Sequence, residues 1–222
     1  MPSILVVAAH PDDEVLGCGG TIARHVSAGD DVHVLIVAQG VMSRKNARAG
    51  DLEAHREAAH RACRILGVTS LTLGDYPDNR LDGVDRLDLT RFIEERVGVT
   101  SPRTVYTHHY GDANVDHRRV AECTLTACRP LPGAGVRRLL LFETPSSTEW
   151  GNPAQSFTPN WFVDISATLD RKMAALRQYA SELREFPHPR SEDGVTHLAR
   201  WRGAAAGVDA AEGFFLARSV ES

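Results

Sequence analysis

The chain has 222 residues, 42% hydrophobic and 24% charged, with 18 glycines and 11 prolines. That length and mix describe a globular domain with a full core and exclude a disordered or fibrous chain. A formal net charge of −4 without a dense Lys/Arg tract argues against a nucleic-acid partner.

Met1-Pro2-Ser3 leads straight into an apolar run, without the basic start of a signal peptide. No apolar stretch approaches the ~18–20 residues of a membrane span. Cys18, Cys63, Cys123 and Cys128 form no Cys-x-x-Cys pair. Reduced thiols and a cytoplasmic location are expected.

In chain order, Ile4 to Ala9 reads as a buried strand ended by His-Pro. Leu16 to Ser27 reads as a helix with a glycine-rich entry at Gly17, Gly19 and Gly20. Asp31 to Ala38 is a second strand, Asp51 to Leu66 an Ala-rich helix stopped by Gly67, and Leu71 to Leu73 a short strand. Leu87 to Val97 is a helix and Arg103 to Thr107 a strand. Asp116 to Cys128 is a helix stopped by Pro130, and Val136 to Glu143 a strand. Trp161 to Ile165 reads as an edge strand. Ser166 can cap a helix whose apolar residues Leu169, Met173, Leu176, Ala180 and Leu183 share one face, broken by Pro187 and Pro189. Val195 to Ala206 is a further helix and Phe214 to Ala217 a last short strand.

This alternation predicts an α/β fold, with a Rossmann-like, mostly parallel sheet flanked by helices on both faces. A single domain, 1–222, divides into a core (1–150) and a smaller C-terminal helix/strand extension (151–222). Such sheets bind ligands where strands pass into helices, which directs attention to loops 10–20, 39–50, 74–86, 108–117 and 143–160.

The first of these loops reads His10-Pro11-Asp12-Asp13-Glu14. Adjacent carboxylates repel, so Asp12 beside Asp13 at a strand end is unfavourable unless a cation offsets them. His10 and Asp13, three apart in a tight turn, can point into one cavity and form a zinc-type donor set. Asp12 can then stay off the metal and act on a water. The plainer reading is a helix N-terminus, where acids favour the dipole, and Glu14 fits it. It leaves His-Pro at the end of a buried strand unexplained.

The second is His108-His109-Tyr110-Gly111-Asp112-Ala113-Asn114-Val115-Asp116-His117, after the strand at 103–107. His117, at the start of a helix, can supply the third protein ligand and leave a fourth position open. Asp116 can orient an imidazole from behind. Taken singly, Asp112 and Asn114 also suit a turn and Asp116 a helix cap.

Two patterns are decoys. Gly17-Cys18-Gly19-Gly20 lacks the third glycine of a dinucleotide loop, and the second strand ends in Ala38-Gln39-Gly40 rather than an acid. His55 and His60 are five apart, not four, so helix 51–66 reads as an amphipathic surface helix rather than a zinc helix.

Ala9-His10-Pro11-Asp12-Asp13-Glu14 and Asp112-x-Asn114-x-Asp116-His117-Arg118 resemble the two motifs of the LmbE-like, or PIG-L-type, zinc-dependent N-deacetylases. Glu143 to Trp150, Arg200 to Gly203 and Ala211 to Phe214 are also similar, so the resemblance covers nearly the whole chain. It implies a Rossmann-like fold and hydrolysis of an N-acetyl group from an amino sugar. His10, Asp13 and His117 would hold one Zn²⁺ per chain, or another divalent metal, and Asp12 would be the general base. Arg56, Asp78 and Asn79 fall in segments that line the sugar site in relatives. Arg44 and Lys45 can meet a phosphate.

Where several members carry a second histidine, this chain has Asn114. An amide can steady an oxyanion but supplies no proton at neutral pH. The general acid is then Asp12 itself, His109 or Asp112. The alternatives are another metal-dependent amide or carbamoyl hydrolase, and a weakly catalytic sugar-binding relative. The partner expected is a small N-acetylated sugar or conjugate; a homo-oligomer is compatible with the sequence.

Overall fold

The computed structural model describes residues 2–41, 43, 48 and 50–221. Seven strands form one sheet: β1 (Ser3–Ala8), β2 (Asp31–Ala38), β3 (Ser70–Tyr76), β4 (Thr104–His108), β5 (Arg138–Phe142), β6 (Trp161–Asp164) and β7 (Ala211–Ser219). Their order is β3-β2-β1-β4-β5-β7-β6. The five strands from β3 to β5 run parallel. β7 runs antiparallel between β5 and β6. The helices are α1 (Asp13–Ser27), α2 (Asp51–Leu66), α3 (Arg86–Thr100), α4 (Val115–Ala127), α5 (Leu169–Leu176) and α6 (Glu192–Ala206).

Successive strand residues face opposite sides, and β1 is apolar on both. Ile4, Val6 and Ala8 pack with Leu16 and Ile22 of α1, Ala58, Ala62 and Leu66 of α2, and Met173 and Leu176 of α5. Leu5, Val7 and Ala9 pack with Leu89 and Ile93 of α3 and Val120 and Cys123 of α4. A sheet buried on both faces explains why its strands read as continuous apolar runs. The four cysteines are free and buried.

Three expectations change. The last third adds β6 and β7 to the same sheet, and α5 packs on α1 and α2. β7 is longer than Phe214 to Ala217 because it pairs on both edges. The helix expected over 166–183 ends at Leu176 and tightens into a 3₁₀ turn at Arg177–Tyr179. There Tyr179 turns inward and donates to Glu14 Oε1 at 2.5 Å, a long-range contact that periodicity does not register.

The glycines after β1 serve packing. A Cβ on Gly17 would lie 2.3 Å from the Phe142 ring, so glycine lets α1 sit on β5. Cys18 leaves the helical conformation, interrupting α1. Glu212 of β7 then accepts from the backbone N–H of Gly20 (3.0 Å) and Thr21 (2.7 Å). Lys172 Nζ donates to Glu212 Oε1 at 2.6 Å and to the Leu16 carbonyl at 2.9 Å. A carboxylate thus satisfies the donors that an interrupted helix leaves open.

Winding reverses between β1 and β4, so the loops leaving their carboxyl ends diverge and open a crevice. Both histidine-rich segments exit there.

Candidate metal centre

β1 delivers the His10–Asp13 turn, and β4 with the start of α4 delivers residues 108–117. Gly40, after β2, closes under the turn with φ +81°; a Cβ there would lie 2.6 Å from Pro11 Cδ and 3.3 Å from His10 Cβ. Asp12 has φ +104°, a conformation that costs a non-glycine residue free energy and that the surroundings must hold.

Asp13 lies at the centre. Its Oδ2 accepts from the His10 backbone N–H at 2.9 Å. The same oxygen is 3.4 Å from His10 Nδ1 and 3.3 Å from His117 Nε2. Its Oδ1 is buried and has no hydrogen-bond partner among the described residues. A buried, unpaired carboxylate oxygen is costly, and a bound cation would relieve that cost.

Behind each imidazole stands a carboxylate. Asp116 Oδ2 is 2.8 Å from His10 Nε2, and Asp112 Oδ1 is 3.1 Å from His117 Nδ1. With those nitrogens occupied, the other ring nitrogens, Nδ1 of His10 and Nε2 of His117, face Asp13. Among the described residues, two groups of donor atoms lie within 4.8 Å of one another: His10, Asp13 and His117, and His10, Asp78 and Asp116. In the second group the carboxylates already have donors. Asp116 accepts from the N–H of Asn79 (2.7 Å) and Leu81 (2.9 Å), and Asp78 from the Ser43 N–H (2.9 Å) and hydroxyl (2.7 Å). The donor set with room for a cation is His10, Asp13 and His117.

The electrostatics agree. Burial opposes a charge on His10, but its hydrogen bonds to Asp116 and Asp13 outweigh it and raise the imidazole to about 10. Burial likewise opposes charge on His117, and Asp13 and Asp112 raise it to about 9. Burial pushes Asp12 well above the carboxylate range, against the opposing pull of Arg190. The site is a dense acid cluster in which protons stand in for positive charge.

Several expected roles change with this geometry. Asn114 is the cap of α4: its Oδ1 accepts from the N–H of Asp116 (2.8 Å) and His117 (3.4 Å), and its Nδ2 donates to Asn79 Oδ1 at 3.0 Å. One of its two amide hydrogens is engaged by Asn79, which fixes the plane of the amide. Asp112 does not fit a proton donor. Burial would raise it, but the hydrogen bond of His117 and the hydroxyls of Ser147 and Thr148 hold it down, at about 2. His109 packs among Tyr110, Phe157 and Phe215, and its Nδ1 accepts from the Gly111 N–H at 3.2 Å. None of these partners belongs to the cluster around Asp13. Arg56 pairs with Asp75 of β3. Its neighbour His55 is the residue buried, 3.2 Å from Glu182 Oε1, so α2 is not solely a surface helix. Asp78 and Asn79 do lie at the site, the former 3.4 Å from His10 Nε2. Arg44 and Lys45 fall outside the described residues.

Two sets of contacts carry no signature in the sequence. His108 takes the Ala9 N–H on Nε2 at 2.9 Å and stacks on His117 with ring centroids 4.0 Å apart. Burial keeps it neutral, lowered to about 3. Arg190, from the segment before α6, reaches Asp12 across 178 residues of sequence. No spacing or periodicity marks it.

Fold and site together define a Rossmann-like α/β protein with a buried donor set of two histidines and one aspartate at the switch point of its sheet. The chain belongs to the PIG-L family: a family model described as GlcNAc-PI de-N-acetylase matches residues 5–128. It is 30% identical over 184 residues to the uncharacterized deacetylase YaiS of Escherichia coli K12, covering 80% of this chain and 90% of the relative. It is 26% identical over 219 residues to the diacetylchitobiose deacetylase of Thermococcus kodakarensis, covering 95% and 81%. Among solved structures, the 4-carboxy-2-hydroxymuconate hydratase of Pseudomonas putida KT2440 superposes with a TM-score of 0.81 at 25% identity, covering 100% of this chain and 99% of that one.

Proposed function

We propose that the protein is a zinc-dependent N-deacetylase acting on an N-acetylated amino sugar or its conjugate. The observation that carries this reading is the trio His10, Asp13 and His117 with Asp12 beside it, inside a deacetylase family. The unpaired Asp13 Oδ1 and the outward-braced imidazoles fit a divalent cation, and the nitrogen-rich set favours zinc over magnesium or calcium. When bound, the metal supplies Lewis-acid activation of the amide carbonyl and of water.

The chain's own residues do the rest. His10, Asp13 and His117 hold the cation, and Asp116 and Asp112 fix the imidazole tautomers. Asp12 accepts a proton from water as its oxygen adds to the acetyl carbon. The C–N bond then breaks, the same proton passes to the departing nitrogen, and acetate leaves. With Asp112 ionised and His109 turned aside, Asp12 fills both proton-transfer roles. Asp78 and Asn79 border the trio and would meet sugar hydroxyls. Four buried, free cysteines suit a reducing, cytoplasmic setting.

Likeness to a hydratase favours a second reading, in which the same machinery adds water across a carbon–carbon double bond. Both are tested on one zinc-loaded sample, with and without chelator. Acetate is measured from N-acetylglucosamine, diacetylchitobiose and UDP-N-acetylglucosamine, and loss of conjugated-diene absorbance from unsaturated dicarboxylates. Chelator-sensitive acetate release supports deacetylation; diene loss alone overturns it in favour of hydration.

A further inference from the structure

Asp12 is nearly enclosed, its side chain 3% exposed, and its backbone is held in a costly left-handed conformation. Among the described residues one cationic group touches it, Arg190. Arg190 Nη1 donates to Asp12 Oδ2 at 3.0 Å, and Arg190 Nε donates to Ser146 Oγ at 2.6 Å. The guanidinium is thereby fixed at two edges by two loops, one following β1 and one following β5. The Arg190 backbone is held as well: its N–H donates to His188 Nδ1 at 3.1 Å. Glu182 Oε2 lies 3.8 Å from the same Nη1. Planar and rigid, a guanidinium suits such a fixed bridge better than an ammonium group does.

We infer that Arg190 is a positioning residue that clamps Asp12 by Oδ2 and so reserves Oδ1 for the proton of the attacking water. This rests on the deacetylase reading for its chemistry, while the clamp itself is a statement about geometry. A carboxylate free to rotate on a turn would present either oxygen at varying angles. Proton transfer needs one oxygen within hydrogen-bond reach of the water. Binding Oδ2 from the side removes that freedom, and Ser146 keeps the clamp from following the carboxylate. The C-terminal segment 186–190 thus becomes part of the catalytic apparatus without touching substrate or metal.

The test compares wild type with Arg190→Met, Arg190→Lys and Ser146→Ala, all zinc-loaded. Three readouts are taken: acetate release, kinetics with added guanidinium ion, and a crystal structure of Arg190→Met. Misplacing a reacting group by about 1 Å costs on the order of 100-fold in rate, so kcat of Arg190→Met should fall on that scale with KM little changed. Free guanidinium should restore part of the loss in Arg190→Met and none in wild type. Arg190→Lys should remain well below wild type, and Ser146→Ala should fall between wild type and Arg190→Met. The Asp12 carboxylate should be rotated in the Arg190→Met crystal. An unmoved Asp12 overturns the clamp, whether or not turnover falls. Wild-type kcat in Arg190→Met overturns it equally. If wild type releases no acetate from any substrate, the deacetylase reading falls, and the position of Asp12 in the variant crystal still decides the clamp.

Discussion

Asp112 Oδ1 lies 3.1 Å from His117 Nδ1, and the same carboxylate takes the hydroxyls of Ser147 and Thr148. This residue, which suits a loop turn by sequence, is a brace. It fixes which nitrogen of His117 carries the proton and which is free to bind a cation.

Replacing that brace should therefore cost metal affinity before it costs fold. Asp112→Asn keeps the shape but loses the charge that favours donation from Nδ1. Zinc affinity is expected to fall about 10–100-fold, the usual effect of losing such a partner. Competition with a chromophoric chelator measures it. Unchanged affinity would refute the brace.

Asp12→Asn should separate chemistry from metal binding. The amide accepts no proton, so acetate release should be lost, while zinc stoichiometry stays at the wild-type level because Asp12 is outside the ligand set. Metal content and turnover are measured on the same sample. Full activity in the variant would remove Asp12 from the mechanism.

Zinc uptake should release protons. Without metal, His10 is raised to about 10 and His117 to about 9, so both hold protons at neutral pH. A cation takes only the deprotonated imidazole. Affinity should therefore rise with pH through neutrality and level off above the higher value, and fall as acid is added. Calorimetry in buffers of different ionisation enthalpy reads the protons directly. Absence of proton release near pH 7 would contradict the proposed ligands.

Away from the site, Glu212→Ala should destabilise the fold. It strands the buried Lys172 ammonium and uncovers the Gly20 and Thr21 N–H groups. Breaking a buried pair this way costs about 3–5 kcal/mol. Denaturant unfolding of the two proteins tests it, and a difference below about 1 kcal/mol would mean the pair is solvated in solution.

Much of this was legible in the order of residues because the causes are local. Apolar runs specify β1 and β2 to within a residue, since both faces of the sheet are covered and burial imposes the pattern, and Gly67 stops α2 at Leu66. His10, Asp13 and His117 stand out because donors sit at two strand exits, where a parallel sheet places ligands. The roles that shifted are those set by long-range partners. Asn114 became a cap because α4 begins after it, and His109 turned aside because its neighbour His108 takes the inward position at the end of β4 and stacks on His117.

By itself, then, the sequence determined the alternating α/β architecture and the residues able to bind a metal. It did so because hydrophobic periodicity and donor type are properties of short segments. Tertiary structure alone decided which carboxylate braces which histidine, where α5 stops, that His55 is buried, and that Arg190 meets Asp12. Those outcomes depend on contacts between segments up to 178 residues apart, whose distances no local pattern encodes.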